Sequence, residues 1–186
     1  MQAIEAIAKT REYLDYVERH INNVARAWGE VMEAMKRSGD YPIWLDDYRY
    51  EGLKGEVERH DLSKLSSEEF VQYRLKFYPT EGEKREDSQR AFDEAWQHHW
   101  ENNHHHWERW PGTNYFNPYE PEIHCTHMII DWLAMSYEFG DTPREYYEKN
   151  KGNIELPEWA EKYIYDLFDD LELSHVADCL IWKKRT

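Results

Sequence analysis

The sequence contains only two cysteines, Cys125 and Cys179, so no disulfide framework can hold it together, and reduced thiols are expected. Basic residues are also short: 23 Lys and Arg stand against 38 Asp and Glu, a formal charge of −15. A surface that negative repels phosphate backbones, which excludes stable, generic nucleic-acid binding. The one basic cluster, Lys183-Lys184-Arg185, is too short to reverse this. No apolar run reaches the roughly 18 to 20 residues of a membrane span, so no membrane partner is expected. The opening segment MQAIEAIAKTREYLDYVERH alternates charged and apolar residues and lacks the apolar centre of a signal peptide. Together these absences predict a cytoplasmic protein. Internal repeats, low-complexity tracts and convincing strand pairs are absent as well.

Aliphatic content is modest, and the mean hydropathy of −1.01 is a value often met in disordered chains. Aromatic residues offset it: 9 Trp, 14 Tyr and 6 Phe supply large buried surfaces, so a core built from rings is expected. The 186 residues fit one domain. Apolar positions recur at helical steps almost throughout, which predicts an all-α fold. Ile4, Ile7, Leu14, Val17, Ile21, Val24, Trp28, Val31 and Met35 mark a long first helix ending near Ser38-Gly39-Asp40. Tyr41 to Gly55 reads as a loop broken by Pro42, Gly52 and Gly55, and a short helix from about Glu56 carries Arg59-His60-Asp61-Leu62-Ser63-Lys64. Ser66 with Glu69 reads as a capping box for a helix to about Tyr78. A helix from about Ser88 carries Phe92, Trp96, His99, Asn103 and His106 up to Pro111-Gly112. Pro121 opens a helix closed by Gly140, Thr142-Pro143-Arg144-Glu145 caps another, and Pro157 opens the last helical region. The whole of 1–186 is expected to form one helical metal-binding domain, its core in about 10–140 and its C-terminal helices 141–186 packing on that core.

Histidine is unevenly placed, with seven of the 10 between His98 and His127. His60-Asp61 on one helix end can reach a single divalent metal, and Lys64, one turn on, would bind a phosphate oxygen at the same mouth. By itself the doublet reads equally as an exposed surface pair. His20, flanked by Val17, Ile21 and Val24, is expected to face inward, as a core histidine or a ligand. Asp131 sits in an apolar helix, where a buried carboxylate needs a cation or several donors. His127 and His124 precede it at helical spacing. On a continuous helix, His98 would align with His105 and His99 with His106, and whichever stripe faces inward delivers two imidazoles to one site. Flanking Trp96, Trp100, Trp107 and Trp110 argue against simple exposure.

The order His20, His60-Asp61, His99, His105 or His106, Asp131 resembles the HD-domain superfamily of metal-dependent phosphohydrolases. His-Asp-Leu-Ser-Lys is similar to the doublet-plus-lysine of its cyclic-dinucleotide phosphodiesterase branch, although that branch's Gly-Tyr-Pro motif is missing. The segment from His98 to Trp110 resembles a small bacterial and phage family of the same architecture. The resemblance spans roughly residues 10–140 and implies an all-helical bundle acting on a nucleotide or other small phosphoester through a metal-activated water. It implies one or two divalent ions (Mn, Fe, Ni, Co or Zn), the first held by His20, His60, Asp61 and Asp131. The second would be held by His99 and one of His105 and His106, with Asp61 bridging. Lys64 would bind the substrate phosphate and His98 protonate the leaving group. Tyr48, Tyr115 and Phe116, on the loops, would stack a nucleobase or, equally, pack into the core.

Three other readings compete. Some HD-fold proteins use two irons to activate oxygen. Glu101-x-x-His104 and Glu172-x-x-His175 match the spacing of ferritin-like bundles. An acidic inhibitor or charge mimic would display a stripe such as Asp166 to Glu172.

Overall fold

The structure, a computed structural model, describes residues 2–39, 47–83, 88–111 and 120–183, with the side chains of 174–183 outside the description. Every regular element among them is helical. Seven α-helices follow in order: α1 Gln2–Ser38, α2 Asp47–Val57, α3 Phe70–Phe77, α4 Ser88–Asn102, α5 Glu120–Phe139, α6 Pro143–Asn150 and α7 Glu158–Lys183. Three short 3-10 turns lie at Leu62–Leu65, Glu81–Glu83 and Trp107–Arg109. No helix among the described residues is long and apolar enough to cross a membrane.

The chain groups into two compact units, one of residues 1–22 and 59–104, the other of 23–58 and 105–186. In the first unit, α3 and α4 pack together and both contact the 3-10 turn at Leu62–Leu65. Its core is a ring cluster, as the composition predicts. Tyr13 and Tyr73 are buried with Val17 and Ala95, and Phe70, Tyr78, Phe92 and Trp96 pack around them. Tyr13 meets Phe70 and Tyr73 meets Phe92 edge-on, each with ring centroids 5.3 Å apart. That geometry sets the positive ring edge against the negative face.

In the second unit the buried centre is mostly aliphatic, and the rings, among them Trp110, Tyr147 and Phe168, lie within it and around it. Helix α5 is its centre and contacts α2, α6 and α7. Ile123, Met128, Ile129, Ile130, Leu133 and Ala134 are buried on several sides of it, which is how a helix enclosed by neighbours reads. Val24, Val31, Leu53, Ile164, Leu167 and Phe168 are among the residues that join the cluster.

Several local expectations are corrected. The segment expected as loop up to Gly55 contains α2 from Asp47; Gly52 does not break it, since a Cβ there would stand 3.0 Å from Ile123 Cδ1, and its absence lets α2 approach α5. The part of that segment at 40–46 lies outside the described residues. His60-Asp61 is not on an α-helix, because α2 ends at Val57 and the doublet occupies the turn before Leu62. The inward face of α1 runs through Tyr13, Val17, His20, Val24, Ala27 and Val31, whereas Ile4, Ile7, Leu14 and Ile21 are exposed on another side. The long helix thus carries two apolar stripes where the sequence reading merged them into one. At the other end of the chain, Thr142 and Glu145 form the expected reciprocal capping box, with Pro143 in the first turn, and Gly140 closes α5 at φ +80°.

Candidate metal centre

In the first unit, three buried donors converge. His20 projects inward from α1, and its Nε2 lies 2.9 Å from His60 Nε2. Asp61 Oδ2 is 3.3 Å from each of these two nitrogens. All three residues are nearly inaccessible to solvent. Donor atoms spaced 2.9 to 3.3 Å apart can share one ion at the usual metal–nitrogen and metal–oxygen lengths of about 2.0–2.2 Å, so this donor set fits a divalent metal. Asp61's other oxygen, Oδ1, lies 3.3 Å from His99 Nε2 on α4.

The backbone that presents Asp61 is unusual. Its φ of 55° and ψ of 19° are left-handed, a conformation seen here at no other described non-glycine residue. Asp is one of the few side chains that tolerate it. The bend turns the carboxylate back toward His60 and starts the 3-10 turn, in which Lys64 N donates to Asp61 O at 2.9 Å. It also sends Lys64 inward, toward the same carboxylate. Its Nζ is 2.5 Å from Asp61 Oδ2, and the residue is buried.

Burial opposes a charge on Asp61, but His60, Lys64 and His99 outweigh it and hold the carboxyl well below its ordinary range. His99 shows the reciprocal balance. Desolvation would lower its pKa, and Asp61 and Glu69 raise it instead.

Glu69 is the buried partner of the candidate site that the sequence reading does not include. It was expected to cap a helix, yet it makes no side-chain capping bond. Its carboxylate is fully buried, with Oε1 accepting from His98 Nδ1 at 2.7 Å and Oε2 from His99 Nδ1 at 2.8 Å. With Nδ1 of His99 donating to Glu69, a neutral ring offers Nε2 to a metal, whereas a charged ring turns an Nε2–H toward Asp61 Oδ1. Ser63 Oγ and Asn103 Nδ2 each lie 3.3 Å from Nδ1 of the same ring, and Asn103 Nδ2 donates to Ser63 Oγ at 2.7 Å and to the backbone His99 O at 2.8 Å. The only sequence signal was chemical: two adjacent inward imidazoles require an acceptor.

The histidine run is not one helix. Helix α4 stops at Asn102, and His106 is extended, so the seven-residue alignment of His98 with His105 and His99 with His106 does not form. His98 and His99 belong to the first unit, His105 and His106 to the second. In the second unit the rings of His105 and His106 lie 4.4 Å apart, as do those of His105 and His127. Glu56 grips two histidines of α5, Oε1 at 3.1 Å from His124 Nε2 and Oε2 at 3.2 Å from His127 Nδ1. Asp131, one turn beyond His127, belongs to this unit too and is half-buried, not enclosed as expected. Tyr115 and Phe116 lie outside the described residues, and Tyr48 is exposed on α2.

The glutamates of the ferritin-like pairs do not face inward, and the side chain of His175 lies outside the description. Glu101 is exposed and accepts from Gln97, and Glu172 is exposed and pairs with Arg144.

A sequence model of a family of unknown function (DUF5662) matches residues 9–178. No curated protein and no solved structure matches the chain.

Proposed function

We propose that the chain, which belongs to the DUF5662 family, is a metal-dependent hydrolase of a nucleotide or other small phosphoester, with its centre at His20, His60 and Asp61. One observation carries the reading: two imidazole nitrogens and a carboxylate oxygen, all buried, meet at ligand-to-ligand distances. Lys64 already offsets the charge of the buried Asp61, so it is the convergence of the imidazoles on the same oxygen that supports a metal ligand set.

A divalent ion held by His20, His60 and Asp61 would acidify a water and polarise a phosphoryl oxygen. The surrounding residues have defined roles in this reading. Asp61 supplies the anionic ligand through Oδ2, and the Nε2 of His99, 3.3 Å from its Oδ1, would be a further nitrogen ligand. Lys64, the buried counter-ion of Asp61, is the cation that meets the substrate phosphate. His98, half-exposed and held at Nδ1 by Glu69, passes a proton to the leaving oxygen. The cationic groups gathered around Asp61 would let an anion enter a protein whose net charge is −15.

The test is metal content by elemental mass spectrometry on untagged protein, beside Asp61→Asn, which keeps the left-handed backbone accessible. We expect near-stoichiometric Mn, Fe, Co, Ni or Zn in the wild type and its loss in the variant, together with loss of phosphate release from a phosphoester panel. A wild type that binds no metal even after reconstitution overturns the proposal. Stoichiometric iron with oxygen consumption and no phosphate release replaces it with the oxygenase chemistry.

A further inference from the structure

The exposed stripe of α1 has a pattern of its own. Ile4, Ile7, Leu14 and Ile21 are 74, 53, 41 and 38 % exposed, while Tyr13, Val17 and His20 on the inward face are buried. Positions 4, 7, 11, 14, 18 and 21 follow alternating steps of three and four, so their side chains form one seam along five turns. Apolar residues fill four of these positions. The other two are Arg11 and Glu18, exposed and opposite in sign.

Their placement is close to self-complementary. Ile7 and Ile21 stand seven residues before and after Leu14, and Arg11 and Glu18 stand three before and four after it. When two such seams are laid antiparallel about Leu14, Ile7 comes over the second copy's Ile21. Arg11 then comes within a turn of the second copy's Glu18, and the reciprocal pair forms by symmetry. A parallel pairing would set Arg11 against Arg11 and Glu18 against Glu18, so the charges select the antiparallel arrangement.

We propose that the chain associates with a second copy of itself through this seam, α1 against α1 in antiparallel orientation on a two-fold axis at Leu14. Four apolar side chains per copy bury a small area, so the dimer is weak and concentration-dependent. It does not depend on the metal centre, whose residues lie on the other face of the helix or off it.

Sedimentation velocity on the full chain from about 1 to about 300 µM tests it, a range that brackets weak association. The expected result is a rise from monomer to dimer mass across that range. Leu14→Glu, which sets two carboxylates together at the axis, should remain monomeric throughout. Arg11→Glu alone should weaken the dimer at least about tenfold by facing Glu18 with a like charge. The double variant Arg11→Glu with Glu18→Arg should recover wild-type association. Because all three positions are exposed, circular dichroism should show unchanged helix in every variant. A wild type monomeric at every concentration, or a double variant no better than the single, overturns the proposal. Dimers that survive Leu14→Glu do so too, since they place the interface elsewhere.

Discussion

Glu69 shows how much one side chain decides. It is fully buried, and each of its oxygens accepts from the Nδ1 of a different histidine. Glu69→Gln keeps the shape but replaces one acceptor oxygen with an NH₂ donor, so one of the two rings must rotate or change tautomer. If His99 is the ring that turns, Nε2 is no longer presented beside Asp61. We expect metal affinity to drop about 10- to 100-fold with the helix content retained, measured by competition against a chelator. Unchanged affinity would show that Glu69 serves packing alone. Sequence reading identified His20, His60, Asp61 and His99, because inward histidines and a His-Asp doublet are visible as letters in a pattern. It missed Glu69 because Ser-x-x-Glu ahead of an apolar run is also how a helix start is written. The two roles look identical until the fold shows which way the carboxylate turns.

Between elements, the tie that joins α1, α3 and the turn at Glu81–Glu83 is electrostatic. Arg74 on α3 is buried and donates to Glu83 at 2.5 Å and to Ala6 O on α1 at 3.2 Å. Glu83 also accepts from the backbone N–H of Thr80 at 2.9 Å. The Arg74 bond, followed by the Thr80 bond, holds the Glu83 carboxyl down to about 2 from 4.5. The folded value lies below the unfolded one, so this pair's stabilisation is complete above pH 4.5 and is lost as the pH falls toward 2. Because Glu83 is solvent-exposed on one side, the contribution is about 1 kcal/mol and not the full shift. Glu83→Gln should therefore lower stability at pH 7 by about that amount and flatten the acid limb of a pH series of urea midpoints. An unchanged acid limb would mean that other carboxylates govern it. At this scale helix existence was legible from periodicity, and the capping box at Thr142 and the stop at Gly140 were legible from local chemistry. Helix α2 was not, because its glycines read as breakers while one of them serves close packing against Ile123. The break at Asn103 was equally hidden, since a seven-residue histidine spacing fits an unbroken helix as well as it fits the observed turn.

For the whole molecule, charge is the dominant surface property. A formal −15 on 186 residues works against compaction through self-repulsion. Part of the acidity is locally balanced: Arg144 pairs with Asp169 and Glu172 on the stripe that a charge mimic would need to leave open. The remainder is exposed to screening. The melting temperature should rise as sodium chloride is raised from a few millimolar to about 0.15 M, where the screening length is about 8 Å, and scanning calorimetry reads it directly. A melting temperature that falls instead would mean that attractive pairs such as those of Arg144 outweigh the net repulsion. All-helical architecture was legible at this scale. The grouping of 1–22 with 59–104 was not, because long-range packing leaves no periodic trace in a single chain.

The left-handed bend at Asp61 acts as a filter on what inheritance can write there. The backbone admits Gly, Asn and Asp with little strain, and the centre requires a carboxylate. Glycine satisfies the first demand and not the second, glutamate the second and not the first, and asparagine keeps the shape while surrendering the charge. On the proposed metal reading aspartate alone meets both demands, and an asparagine or glycine in its place would keep the turn while removing the proposed ligand.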